Sequence, residues 1–321
     1  MIKYFKSIIF LLIVLTIACN QSLKKEIIPT PQKIVYEVVF RESLAGTYEK
    51  WAIGKNSYAY TYAYTDRGRG PNFTEEIRLN EQNFIIAQSI EGVTYHKTPL
   101  TENFLSEGST ATWTNLNGKN EGIFNGNQLY FRYDGSPAIY EILAQNLLTA
   151  EDGQLALYPE GTVGLTQQFP LELSDGRVAQ LLMIKGLGMS PSYVWMMDGQ
   201  MIGRIAGNLH VIRADMSAMR LELKALQSQM EDEHLIEMSK KLTHTIQKVV
   251  IQNVAIFKAD GTVLPNQDVF INDEQINNIS PTGEIALPKD ALLIDGQGKT
   301  LLPGLFDMHT HNTKSRGLLH L

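Results

Sequence analysis

The sequence predicts a mainly β protein with α segments. Apolar and polar residues alternate over most of the chain between Ile34 and Ala206, which is the period of a half-buried strand. Turn dipeptides such as Asp-Gly recur between these runs and favour hairpins. A long helical period follows from Asp215 to Val249, and alternation then returns as far as Leu302. We therefore expect an antiparallel β domain, a connecting helix and a small β segment, in that order.

The charge balance argues against nucleic acid as a partner. The chain of 321 residues carries 28 basic and 34 acidic side chains. Without the first 19 residues, which contain Lys3 and Lys6, 26 basic and 34 acidic residues remain, a net charge of −8. No basic run is longer than Lys24-Lys25, and a nucleic-acid-binding surface normally needs a basic stripe or patch.

Residues 1–19 are predicted to be a lipoprotein signal peptide. Two lysines precede an apolar run, Ile8–Ile17, that is far too short to span a bilayer. The run ends in Leu15-Thr16-Ile17-Ala18-Cys19, which resembles a bacterial lipobox with Thr16 at a position that is usually aliphatic. This resemblance implies acylation of Cys19, the only cysteine, and a lipid anchor that holds an exported chain to the bacterial cell envelope, on the periplasmic or outer-membrane face. An ordinary secretory signal peptide is the alternative.

Residues 20–33 are predicted to be a tether, and residues 34–206 an antiparallel β domain of about ten strands. Its clearest strand has four tyrosines at strict period two, Tyr58, Tyr60, Tyr62 and Tyr64, so their rings lie on one face. Such a ladder could bind a sugar or a lipid. Packing of the rings into a core is the commoner use of strand aromatics, and we favour it here.

Three further elements follow from local patterns. Asp198-Gly199 between two alternating runs predicts a hairpin with a type I′ turn, because both central residues of that turn need a positive φ. A helix is predicted to begin near Pro137, with Ile139, Ile142, Leu143 and Leu147 on one face. Residues 207–248 are predicted to be a connecting helical segment that bends at Glu231-Asp232-Glu233-His234.

Two histidines near the end of the sequence are spaced to bind a metal. In Pro303-Gly304-Leu305-Phe306-Asp307-Met308-His309-Thr310-His311, an extended strand would put both imidazoles on one face, about 7 Å apart along the backbone. They could then converge on one divalent cation, with Zn–N distances of about 2.0–2.1 Å. Asp307 lies on the same face and could accept a hydrogen bond that orients a ligand ring.

This run resembles the P-G-x-x-D-x-H-x-H signature of the metal-dependent amidohydrolase superfamily. The resemblance implies that residues 303–321 are the start of a (β/α)8 barrel whose first strand places His309 and His311 on one or two divalent ions such as zinc. It also implies that residues 249–302 belong to the small β-sandwich that precedes the barrel. The remaining ligands and the catalytic aspartate would come from later strands. A complete barrel takes about 250 residues, so we expect a chain cut off at its first strand.

Two functions are compatible with the sequence. The resemblance implies an exported, lipid-anchored, metal-dependent hydrolase of non-peptide C–N bonds, acting on a small amide or cyclic amide. This chain would itself be inactive and would contain no catalytic residue. The alternative is a non-enzymatic surface lipoprotein whose β domain binds a ligand or a partner, with the tyrosine ladder as its positive support.

Overall fold

The computed structural model describes residues 31–115, 118–132, 135–304 and 306, and these residues confirm a mainly β chain with few helices. They divide into two compact units. The first unit contains the described residues up to Tyr36 and then Gly46–Gly126. The second contains Glu37–Ala45 and the described residues from Asn127 onward. In the part of the chain that is described, no helix is long and apolar enough to cross a membrane.

The first unit is built from an antiparallel meander. Strand β1 (Ile34–Phe40) contributes residues to both units. Each of the next seven strands pairs antiparallel with its sequence neighbour. Their bounds are β2 (Ser43–Gly54), β3 (Ser57–Tyr64), β4 (Asn72–Leu79), β5 (Ile85–Val93), β6 (Pro99–Glu107), β7 (Thr110–Asn115) and β8 (Gly118–Ile123). Strict alternation in β4, where Phe73 and Ile77 are buried and Thr74 and Glu76 are exposed, shows that one face of this sheet covers the core.

The tyrosine ladder of β3 packs into that core, which confirms the packing interpretation. Tyr60 and Tyr62 are 2% and 7% exposed. The ring of Tyr48 on β2 stacks on Tyr60, with centroids 6.0 Å apart, and meets the edge of Tyr62 at 6.2 Å. Aromatic pairs at these separations stabilise a sheet beyond the area that they bury. The middle of the ladder is therefore structural.

The second unit contains a further antiparallel run of strands and a buried helix. The elements are β9 (Leu129–Tyr130), α1 (Ala138–Thr149), β10 (Gln154–Tyr158), β11 (Thr162–Glu172), β12 (Val178–Lys185), β13 (Ser192–Met197), β14 (Gln200–Ala206) and β15 (Leu209–Arg213). Strands β10 to β15 pair antiparallel in sequence order, and β9 pairs parallel with β10. The predicted helix is confirmed, with Ile139 and Leu143 fully buried. The predicted hairpin is confirmed too, since Asp198 and Gly199 have φ of 51° and 74°.

The predicted number of strands is too low. The described residues between Ile34 and Ala206 form fourteen strands, against about ten expected. The turn between β1 and β2 shows one reason, because its central residues Arg41 and Glu42 take the left-handed conformation, with φ of 50° and 68°, without any glycine or proline. Sequence patterns find turns chiefly through those two residue types.

One continuous helix connects the strands of the second unit to the small sheet that follows. A 3₁₀ turn (Ala214–Met219) leads into α2 (Arg220–Leu242), which runs unbroken through the acidic segment. The predicted bend is therefore wrong. Hydrogen bonds at i, i+4 spacing explain the continuity: Gln227 donates to Glu231 at 2.8 Å and Gln229 donates to Glu233 at 3.0 Å.

The first half of α2 packs on a core centred on Trp195. Leu223 on the helix and Trp195 on β13 are both 0% exposed and belong to one buried cluster. Gln227 is buried as well, and its two ends are paired: Trp195 Nε1 donates to its Oε1 at 3.2 Å, and its Nε2 donates to the Ile205 carbonyl at 3.1 Å. These bonds satisfy the polar groups that the helix buries.

The β1–β2 turn is clamped to the same helix over a buried histidine. Glu42 accepts from Arg220 Nη1 at 2.7 Å and from Lys224 Nζ at 2.6 Å, and these bonds lower the pKa of Glu42 to about 2. His210, 1% exposed, lies 3.1 Å from Arg220 Nη1 through Nδ1 and 3.2 Å from the Gly207 carbonyl through Nε2. A neutral ring that accepts from Arg220 and donates to Gly207 satisfies both contacts.

We expect the free energy of unfolding to fall as the pH is lowered below about 6.5. Burial lowers the pKa of His210 from its ordinary value, and the neighbouring Lys224 and Arg220 lower it further, against the opposing effects of the hydrogen bond to the Gly207 carbonyl and of Glu42. As the pH falls, the unfolded chain therefore binds the proton first. The contribution of neutral His210 to stability is complete above the pKa of the unfolded state, and it is lost as the pH falls toward the pKa of the folded state. The contribution of Glu42 to stability is separate, because it is lost only as the pH falls from about 4.5 to about 2.

Urea unfolding followed as a function of pH measures this effect. His210→Gln should reduce the slope below about pH 6.5, and the part that remains belongs to His234, whose pKa is also lowered by burial. His244→Gln, at an exposed position, should leave the slope unchanged. A slope that persists unchanged in His210→Gln would show that another group is responsible.

The chain then forms a separate small sheet. Its strands are β16 (Lys248–Phe257), β17 (Val263–Asn272), β18 (Gln275–Pro281), β19 (Leu292–Asp295) and β20 (Thr300–Leu301). The order is β18-β17-β16-β19, with β20 also paired to β16. The predicted β16–β17 hairpin forms, and β19 and β20 pair parallel with β16. The fully buried Asp268 ties the sheet together, since it accepts from the backbone N–H of Asn253 at 2.8 Å and of Gly283 at 2.9 Å.

Candidate functional site

The site residues that the sequence predicted lie outside the part of the chain that the structure describes. Cys19, Asp307, His309 and His311 lie outside the described residues, so lipidation and metal binding at these positions stay predictions. Among the residues that the structure does describe, no group of three or more His, Cys, Asp or Glu side chains is placed to hold a metal ion.

Two loops at one end of the first unit meet and form a basic cluster. We call residues 65–71, between β3 and β4, the arginine hairpin, and residues 94–98, between β5 and β6, the tyrosine loop. Alternate turns of an antiparallel meander lie at the same end of the sheet, so these two loops are brought side by side. The contact is direct, because Gly70 N–H donates to the Tyr95 carbonyl at 2.9 Å and Lys97 Nζ donates to the Gly70 carbonyl at 2.7 Å.

The arginine hairpin is a tight turn with a defined backbone. Asp66 and Arg69 exchange backbone hydrogen bonds of 2.8 and 2.9 Å, and the two residues between them, Arg67 and Gly68, have φ of 49° and 82°. These are the angles of a type I′ turn. Gly70 has φ of 125°, and a Cβ there would lie 2.0 Å from the Tyr64 carbonyl oxygen. Only glycine fits that position.

A buried carboxylate holds the side chains of the cluster. Asp66 is 5% exposed, and its Oδ1 accepts from Arg67 Nε at 3.0 Å while its Oδ2 accepts from the Tyr95 hydroxyl at 2.6 Å. Arg69 Nη2 lies 3.7 Å from the same Oδ2. Hydrogen bonding to Asp66 raises the pKa of the Arg67 guanidinium and the pKa of Tyr95. One carboxylate therefore orients two arginines and a phenol.

In the tyrosine loop, the ring of Tyr95 is the group around which the other side chains pack. The Arg69 guanidinium lies over it at 5.3 Å, and the His96 ring meets it edge-on at 5.0 Å. Tyr64, at the end of the tyrosine ladder, packs against Tyr95 with centroids 6.4 Å apart. Burial raises the pKa of Tyr64, so both phenols stay protonated at neutral pH, and the hydroxyl of Tyr95 uses its proton for the bond to Asp66.

The cluster exposes more positive than negative charge. The side chains of Arg67 and Arg69 are 63% and 43% exposed, and Lys97 and His96 are exposed as well. Three permanent cations and the single carboxylate Asp66 give the two loops a net charge of +2, in a chain whose net charge is −6. Guanidinium groups held in a fixed orientation suit carboxylate and phosphate oxygens. The arrangement can therefore bind an anion.

Part of this cluster was visible in the sequence. Asp66-Arg67-Gly68-Arg69-Gly70 combines turn residues with two arginines, a signal from which an exposed basic turn could have been predicted. The partnership with Tyr95 could not be found in the same way, because 29 residues separate Asp66 from Tyr95.

Comparisons with known proteins assign only a short part of the chain. No family model matches it. Two curated dihydroorotases, from Mycobacterium tuberculosis and Mycobacterium bovis, are each 48% identical to it over 44 residues, which is 14% of this chain. The chain thus spans about a tenth of the length of these amidohydrolases.

Among solved structures, the chain resembles a β-barrel-like protein of a domain of unknown function, DUF1849, from Brucella abortus, with a TM-score of 0.31 and 9% identity over 57% of this chain and 94% of that one. The prediction that this chain is a metal-dependent hydrolase is corrected, because the similarity to dihydroorotase covers only 44 residues and no family model matches the chain. The alternative from the sequence is a β domain that binds a ligand or a partner.

Proposed function

We propose that the first unit is a non-enzymatic binding domain whose arginine hairpin and tyrosine loop together bind an anionic ligand. The observation that carries this proposal is the buried Asp66 carboxylate. It holds the side chains of Arg67 and Arg69, which are 63% and 43% exposed, in a fixed orientation on a type I′ turn. Arg67 uses its Nε and one terminal nitrogen for that carboxylate, while its side chain stays 63% exposed.

Fixing the arginines before the ligand arrives favours binding. A free arginine side chain loses rotamer freedom when it binds an anion, at a cost of about 0.5–1.5 kcal/mol. The bonds to Asp66 and the contact of Arg69 with the Tyr95 ring impose that order in the unliganded protein. Lys97, held by the Gly70 carbonyl, adds a third positive charge next to them. The ligand binds more tightly because the arginine side chains lose less conformational entropy when it binds.

We expect the double variant Arg67→Gln, Arg69→Gln to bind inorganic pyrophosphate about tenfold more weakly than the unaltered chain, because charge-assisted hydrogen bonds from both guanidinium groups are lost. Isothermal titration calorimetry at low ionic strength measures the difference. Affinity should also fall as salt is added, since exposed charges are screened within about 10 Å at 0.1 M.

Lys119→Gln is the matched control. It removes one positive charge from an exposed position on β8 of the same unit and should leave binding unchanged. Equal affinities of the double variant and the unaltered chain, or binding that does not respond to salt, would contradict the proposal.

A further inference from the structure

The outward face of the same sheet contains a hollow away from the basic loops. It has a volume of about 470 Å³, within the range of small-molecule sites. The strands β2 to β6 of the first unit line it, and the residues on which the following steps depend are Glu76, Arg78, Ala87, Ser89, Asn103 and Leu105.

Side-chain size explains why a hollow forms there. Ala87 and Ser89 on β5 present small side chains, while the strands on either side present larger ones. In the register of the sheet, Ala87 lies between Arg78 on β4 and Leu105 on β6. Ser89 lies between Glu76 and Asn103 in the same way. The result is a trough along β5 with β4 and β6 as its walls.

One wall of the trough presents a negative and a positive side chain, Glu76 and Arg78. Glu76 and Arg78 are two residues apart on β4 and are exposed on the same face, about 7 Å apart along the strand. In the described parts of the chain, neither side chain makes a hydrogen bond or an ion pair. A carboxylate and a guanidinium are thus presented side by side to a hollow that also contains the Asn103 amide and the Ser89 hydroxyl.

We infer that this hollow binds an extended zwitterion about the length of a dipeptide. Two extended residues span at most about 7 Å, which matches the spacing of Glu76 and Arg78 along the strand. The ligand's ammonium group would pair with Glu76 and its terminal carboxylate with Arg78. Asn103 would bond the central peptide group, and Leu105 and Ile53, at the rim and 37% and 49% exposed, would contact its side chains.

Alanyl-leucine, its N-acetyl form and its C-terminal amide are the probes, titrated into the full chain and followed by ¹⁵N NMR. The free dipeptide should shift the amide signals of residues 87–89 and 103–105, and each capped form should bind about tenfold more weakly, because it lacks one charge-assisted hydrogen bond. Arg78→Gln should abolish the preference for the free carboxylate. Glu76→Gln should abolish the preference for the free ammonium group.

Filling the trough gives a second test. Ala87→Leu should prevent binding by occupying the floor, while Thr74→Leu, exposed on β4 but outside the hollow, should leave it intact. Equal affinity for the free dipeptide and its two capped forms, or binding that survives Ala87→Leu, would overturn the inference. The double variant Arg67→Gln, Arg69→Gln should bind the dipeptide normally, so the outcome is independent of the anion site.

Discussion

Trp195→Ala should lower the free energy of unfolding of the second unit by about 3–5 kcal/mol. The indole is 0% exposed, lies in the buried cluster with Leu223 and Ile212, and donates its only N–H to Gln227. The substitution removes the largest buried side chain, leaves a cavity, and deprives Gln227 of one partner inside the protein. Urea unfolding followed by far-ultraviolet circular dichroism measures the loss.

Trp51→Ala is the matched control for this prediction. Trp51 is only partly buried on β2, where the Lys33 ammonium lies 4.5 Å from its ring centroid. The expected loss there is smaller, because less apolar area returns to water when the side chain is removed. A loss for Trp195→Ala that is no larger than the loss for Trp51→Ala would show that the core under α2 is not organised around the indole.

Gly70→Ala should abolish anion binding by the arginine hairpin. The new Cβ would lie 2.0 Å from the Tyr64 carbonyl oxygen at a φ of 125°, so the backbone has to move. That movement breaks the bonds that join Gly70 to Tyr95 and Lys97, and with them the alignment of the two loops. Pyrophosphate affinity should fall at least as far as in the double arginine variant, about tenfold.

Gly68→Ala separates this steric effect from the general cost of replacing glycine. Gly68 also has a positive φ, of 82°, but no atom lies within 4 Å of its would-be Cβ. Its replacement costs only the left-handed conformation, about 1–2 kcal/mol, and the hairpin should keep its shape and its ligand. Unaltered binding by Gly70→Ala would mean that the contact between the two loops does not shape the site.

The hydrolase prediction failed for an identifiable reason. It rested on the nine residues Pro303–His311, and a short motif can assign the stretch that contains it without assigning the rest of the chain. The similarity to dihydroorotase is also short, at 44 residues, which is 14% of the chain. The remaining strands carry no such motif, and their chemistry depends on which side chains the sheet brings together.

The sequence by itself determined the local elements. Alternation predicted the strands, Asp198-Gly199 predicted the β13–β14 turn, and the spacing of apolar residues after Pro137 predicted α1, because each depends on neighbours within a few residues. The continuity of α2 escaped prediction because side-chain bonds within the helix outweighed a run of acidic residues that suggested a bend.

The tertiary structure alone decided the sites. Asp66 meets Tyr95 across 29 residues, and Glu42 meets Arg220 across 178, so no local pattern could pair them. The trough along β5 depends equally on strand register, which sets Ala87 between Arg78 and Leu105. A one-residue slip of register would turn each of these side chains to the opposite face. Local sequence patterns therefore determine where the strands form, and the pairing of distant strands determines which side chains lie close enough to act together.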